Sequence, residues 1–135
     1  MAAPASRLGP AFAAQRGRTG LIPFLTAGYP ALDVTLDIAR GFARSGALAL
    51  ELGIPFSDPI ADGPEIQRAS EWALRRGVTR ADVLELVRAL RRECDLPVVL
   101  MTYANPVLPG GADAFMLGAW GTPANVSPGH AIFIS

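Results

Sequence analysis

The sequence contains no lysine; all 12 of its basic residues are arginine. An amine nucleophile, of the kind that forms a Schiff base with a carbonyl substrate or anchors pyridoxal phosphate, is therefore missing from this chain. Histidine occurs once, at His130, which excludes a multi-histidine metal site. Cysteine also occurs once, at Cys94, so an internal disulfide and a cysteine-based zinc site are both excluded. That usage fits a reducing compartment, and a cytoplasmic location is expected. An excess of one charge is lacking too: 12 arginines balance 12 acidic residues, leaving no electrostatic footprint for nucleic acid or an anionic membrane. Apolar runs are short and broken by proline, glycine or charge, none near the roughly 20 residues of a membrane span. The first 19 residues carry Arg7, Arg16 and Arg18 but no continuous apolar stretch, so no secretory signal is expected. Chemistry is left to carboxylates, hydroxyls and backbone groups, with no metal.

What the chain does have is an ordinary globular balance. Of its 135 residues half are apolar and 18% are charged, enough for one domain with a real core. A short helix is expected over Leu8 to Arg16, restricted by Pro10. Leu21 to Thr26 reads as a buried strand ended by the turn Ala27-Gly28-Tyr29-Pro30. Apolar residues recur at helical spacing from Leu32 to Arg44 and Gly46 closes that helix. Ala47 to Leu52 is a second strand, so strand, helix and strand form a βαβ unit of a parallel sheet. The segment from Ile54 to Pro64 holds three of its prolines within 11 residues and must be a stiff loop. Pro64 then opens a helix over Glu65 to Arg76, and Thr79 caps another from Arg80 to about Glu93. Leu96 to Tyr103 is a third strand. The pattern is α/β, and periodicity alone leaves open whether the sheet is doubly wound or part of a closed barrel. No Gly-x-Gly-x-x-Gly and no Gly-Lys-Ser/Thr is present, which weakens a nucleotide-binding reading.

Glu51 is the residue most at odds with its surroundings. A carboxylate inside Ala47-Leu48-Ala49-Leu50-Glu51-Leu52 either shifts its pKa upward, lines a cavity at the strand end, or is neutralised by an arginine or backbone amides. In α/β barrels catalytic groups lie at the C-terminal ends of strands, where Glu51 is placed, and such a Glu can serve as general acid and base. Asp58, Asp62 and Ser57, in the proline-rich loop just after that strand, read singly as turn formers. Their position means that two carboxylates, Glu51 and Asp62, can converge on one cleft. There one would move protons while the other holds a ring N–H. Thr26, Tyr103 and Asn105 end strands on the same face and by themselves are ordinary strand terminators. Phe24 and Met101 read as core, and His130 has no role.

Leu50-Glu51-Leu52-Gly53-Ile54-Pro55-Phe56-Ser57-Asp58-Pro59-Ile60-Ala61-Asp62-Gly63-Pro64 closely resembles the signature of the tryptophan synthase α-subunit. Ile22-Pro23-Phe24-Leu25-Thr26-Ala27-Gly28-Tyr29-Pro30 resembles the first barrel strand and turn of that family, and Met101-Thr102-Tyr103-Ala104-Asn105-Pro106-Val107 the end of its third strand. The resemblance spans about Gly20 to Val107. It implies a (β/α)8 TIM barrel that cleaves indole-3-glycerol phosphate to indole and glyceraldehyde 3-phosphate, without a cofactor of its own. It further implies that Glu51 is the acid/base and Asp62 the carboxylate on the indole nitrogen. By the same resemblance Phe24, Met101 and Tyr103 contact the substrate. The loop Pro55, Phe56, Ser57, Asp58 and Pro59 would face a pyridoxal-phosphate-bearing β-subunit in an α2β2 assembly.

A full barrel takes about 250 residues, and three of its strands are recognisable here. The sequence reading therefore divides the chain into a partial barrel over residues 1–116 and an atypical tail over residues 117–135. After Phe115 no period of either kind survives, so this tail is expected to be disordered or foreign to the family. Lyase activity is expected to be negligible in the chain as written. Two other readings stand beside the lyase: a partial barrel that only binds a partner such as the β-subunit, and another phosphate-sugar lyase or isomerase.

Overall fold

A computed structural model describes residues 7–103 and the backbone of residues 131–134. The elements in chain order are α1 (Leu8–Ala14), β1 (Phe24–Thr26), α2 (Leu32–Arg44), β2 (Leu50–Gly53), α3 (Pro64–Arg75), α4 (Arg80–Arg91), β3 (Val98–Tyr103) and β4 (Ala131–Ile134). The strands form one parallel sheet in the order β1-β2-β3-β4. A doubly wound sheet reverses its strand order at a switch point, whereas a barrel adds each new strand beside the last. The unreversed order over these strands settles the alternative left open by periodicity in favour of part of a barrel wall.

Alternation along the strands sorts the side chains. Leu50 and Leu52 of β2, with Val98 and Leu100 of β3, are buried against Ala39 of α2 and Val83, Leu86, Val87 and Leu90 of α4. Burying a leucine of this kind contributes about 1.5–3 kcal/mol. The opposite face carries two rows set by register: Phe24, Glu51 and Val99, then Thr26, Gly53 and Met101. Burial on both faces, the premise for Glu51 being anomalous, holds on the helix side. On the other side Glu51 is half-buried.

The helices begin and end for local reasons. Thr79 accepts a hydrogen bond from the Asp82 N–H while the Asp82 carboxylate accepts from the Thr79 N–H, a reciprocal cap at the start of α4. Arg40 of α2 forks onto Glu93 with Nε–Oε2 and Nη2–Oε1 distances of 2.6 and 2.5 Å, tying α2 to the end of α4. The strands start later than expected, at Phe24 and Val98, because Pro23 and Pro97 have no N–H to give a ladder. Their carbonyls still accept, from Glu51 N–H at 2.9 Å and Leu50 N–H at 2.8 Å.

Near the C-terminus residues 131–134 form β4, with Leu100 paired to Ala131 and Tyr103 to Ile134. Four residues after Pro128-Gly129 are too few to show a strand's period. Asn105, His130 and the rest of the tail over residues 117–130 lie outside the described residues.

Candidate active site

The site is built where the segment after β2 folds over the C-terminal end of β3. Tyr103, the last residue of β3, accepts a hydrogen bond from the Ala61 N–H at 2.9 Å and donates its own to Asp62 Oδ2 at 3.1 Å. Its ring stacks on Phe56, with centroids 4.9 Å apart and planes inclined by 25°. Within the loop Ile60 N–H donates to Asp58 O at 2.9 Å and Asp62 N–H to Pro59 O at 3.1 Å. From α3, the Gln67 amide donates to Asp62 O at 2.8 Å and to Pro59 O at 3.3 Å. The loop predicted to be stiff is thus fixed at both of its flanks.

Behind this loop Phe24, Met101, Asp62 and Tyr103 meet around a cavity that also touches Gly53, and Ile66 of α3. Its enclosed space is about 30 Å³. Ligand pockets run to about 300 Å³ or more, so the described residues form one wall of a site. Gly53 gives this wall its shape. A Cβ there would stand 2.7 Å from Cζ of Phe24, so only a glycine lets that ring lie across the end of β2. The turn after β1 is packed as tightly. Gly28 has φ +85° and a Cβ on it would lie 2.6 Å from Val78, while its N–H donates to the buried Thr35 hydroxyl at 3.1 Å.

Glu51 lies on the same face, in the row below Gly53 and Met101. Asp62 borders the small cavity, and Glu51 faces the same side one row deeper in the sheet. No hydrogen bond or ion pair to the Glu51 carboxylate occurs among the described residues, which removes the reading of neutralisation by one of their arginines or amides. Of the substrate contacts expected, Phe24, Met101 and Tyr103 come together with Asp62. Burial pushes the Tyr103 phenol above its usual range; the Ala61 N–H opposes this, and the hydrogen bond to Asp62 adds to it.

The proline-rich loop is divided. Pro55 is buried, Phe56 and Pro59 are half-buried, and Ser57 and Asp58 are exposed. Ile60, which sequence reasoning passed over, is 80% exposed beside them; an aliphatic residue in a turn-rich segment was the available signal. Gly53 and Ile66 were also missed. A glycine just inside a strand's end marks a close approach, while nothing in the sequence set Ile66 apart within its helix. Among the described residues no three His, Cys, Asp or Glu side chains are grouped to hold a metal, and no helix is long and apolar enough to cross a membrane.

Comparison with known proteins gives a consistent answer. Residues 11–125 match the family described as tryptophan synthase alpha chain, a span that continues past residue 116. The tryptophan synthase alpha chain of Leptothrix cholodnii is 54% identical over 114 residues, covering 82% of this chain and 42% of the relative. That of Laribacter hongkongensis is 58% identical over 104 residues, covering 76% and 39%. The solved tryptophan synthase subunit alpha of Legionella pneumophila superposes with a TM-score of 0.83 at 39% identity, covering 90% of this chain and 48% of that one. The chain spans about two fifths of the length of these curated relatives.

Proposed function

The chain belongs to the tryptophan synthase alpha chain family, and on that premise we propose that its site supplies the acid–base part of a carbon–carbon lyase of tryptophan biosynthesis. The substrate is indole-3-glycerol phosphate, the products indole and glyceraldehyde 3-phosphate. The single observation that carries this reading is the placement of Asp62. It is fastened at the C-terminal rim by Tyr103 beside the apolar pair Phe24 and Met101, an arrangement suited to an aromatic ring with one N–H.

The chemistry follows from those positions. The Asp62 carboxylate accepts the ring N–H and stabilises positive charge as the ring is protonated. Glu51 in its acid form gives a proton to the ring carbon bearing the side chain. It then takes the proton of the adjacent side-chain hydroxyl as the C–C bond breaks and the carbonyl forms. The bonding electrons return to the ring, and the acid is regenerated. Phe24 and Met101 hold the ring by burial. This chain's residues need no cofactor for these steps; pyridoxal phosphate belongs to the β-subunit expected as partner in an α2β2 assembly, in the cytoplasm.

The partner-binding reading stands second. It is favoured by the exposed tip Ser57, Asp58 and Ile60 together with the small enclosed space, about 30 Å³. The division at residue 116 rests on lost periodicity alone. The family match to residue 125 and the addition of β4 to the sheet favour one continuous unit.

Indole release from indole-3-glycerol phosphate, with and without a tryptophan synthase β-subunit, tests both readings. The 135-residue chain is expected to show negligible turnover by itself, because one wall cannot position the phosphate end of the substrate. Turnover at an ordinary rate that Glu51→Gln abolishes would establish the lyase and overturn that expectation. Tight β-subunit binding without turnover would favour the second reading.

A further inference from the structure

The Tyr103 side chain has a different task from Phe24 and Met101, although all three border the same cavity. Its hydroxyl has one proton to donate, and that proton is committed to Asp62 Oδ2 at 3.1 Å. The same oxygen accepts the Ala61 N–H at 2.9 Å. The ring is held flat against Phe56, from the start of the same loop. Tyr103 therefore grips the proline-rich segment at three successive places while its own backbone is fixed at the end of β3, next to Met101. Only 8% of the residue is exposed, so the hydroxyl exchanges these bonds with water at a cost.

We infer that Tyr103 is a positioning residue, acting through Asp62 rather than on the substrate: its hydroxyl latches Ala61 and Asp62 to β3 and sets the direction of the Asp62 carboxylate. This rests on the reading of Asp62 as the group that takes the ring N–H. A carboxylate held on one oxygen keeps the other free for that N–H, and its plane is set by the bond already made. Helix α3 contributes the rest of the constraint through Gln67, whose amide donates to the Asp62 carbonyl at 2.8 Å. Asp62 is thus held through its backbone by α3 and through its side chain by β3.

A merely structural role for the tyrosine would reside in the ring, which packs on Phe56 and fills the end of the sheet. The latch resides in the hydroxyl. Tyr103→Phe separates the two, because it keeps the ring and removes only the oxygen. The readout is amide hydrogen exchange in the 135-residue chain, taken as the rate at Ala61 divided by the rate at Leu50. The Leu50 N–H donates to Pro97 O at 2.8 Å within the sheet and reports general opening. The ratio is expected to rise about three- to tenfold in Tyr103→Phe, the range commanded by one hydrogen bond of ordinary net strength. A rise of less than threefold overturns the latch. Chemical shifts of the Met101 methyl and the Phe24 ring on adding indole form the second arm. Tyr103→Phe is expected to keep these shifts but weaken binding severalfold, and unchanged binding also overturns the proposal. Exchange needs no substrate, so a raised ratio with no response to indole even in the parent chain keeps the latch and sinks the lyase reading.

Discussion

Gly53 and Phe24 form the most sensitive contact of the site at the scale of single residues. A methyl group on Gly53 would have to displace the Phe24 ring, whose Cζ stands 2.7 Å from the place it would occupy. Gly53→Ala is therefore expected to cost about 1–3 kcal/mol by overpacking, read by urea unfolding, and to shift the Phe24 ring resonances. The Tyr103 phenol gives a second prediction. Its folded pKa is raised, by burial first and by Asp62 in addition. A group raised in the folded state contributes stability that is fully present below its unfolded value, near 10, and is lost as pH rises through the folded value. Stability should therefore fall more steeply on the alkaline side in the parent chain than in Tyr103→Phe. Equal alkaline profiles would contradict the assignment.

At the scale of elements, α4 is the helix on which most of the core converges. Leu90 is fully buried between it and the sheet, so Leu90→Ala is expected to cost about 2–5 kcal/mol in urea unfolding. Thr79→Ala removes the cap and should cost about 1 kcal/mol. Asp82 is held below the usual carboxylate range by the Thr79 hydroxyl and N–H, and Glu93 by Arg40. Carboxyls lowered in the folded state contribute above their unfolded values, near 4, and the contribution is lost as pH falls through the lowered ones. Acid titration of Thr79→Ala should accordingly show a shallower loss of stability than the parent. These helices were legible in the sequence because they extend over 12 or 13 residues, and because Pro64 opens α3 and Thr79 caps α4. The strands were legible in existence but not in extent, since Pro23 and Pro97 cut the ladders short. Four residues of β4 gave no pattern at all.

For the molecule as a whole, the sheet has strands with a neighbour on one side only at β1 and, among the described residues, at β4. On the face turned away from α2 and α4, Glu51 and Met101 are half-buried. Strand edges without a neighbour favour association. The purified 135-residue chain is expected to gain mass with concentration in sedimentation, and a strictly monomeric chain would contradict this. The candidate site was partly legible at this scale. Glu51 stood out because a charge interrupts an apolar strand, and Asp62 because it follows that strand in a rigid loop. The bond between Asp62 and Tyr103 was not, because 41 residues separate them and only the fold brings the end of β3 under the loop. The place of Glu51, one row below Gly53 and Met101, depends on strand register, which no local pattern reports.

The central proposal is that Glu51 moves the protons and Asp62 holds the ring N–H in an indole-releasing lyase. It is tested most directly in a chimera that places residues 20–107 in the corresponding segment of the full-length Laribacter hongkongensis alpha chain. Indole release from indole-3-glycerol phosphate would be compared for the chimera and its Glu51→Gln variant. The account predicts robust turnover in the chimera and a loss of about 10²–10⁴-fold in kcat for the variant, with the fold unchanged by circular dichroism. A variant that turns over within a few fold of the chimera would contradict it.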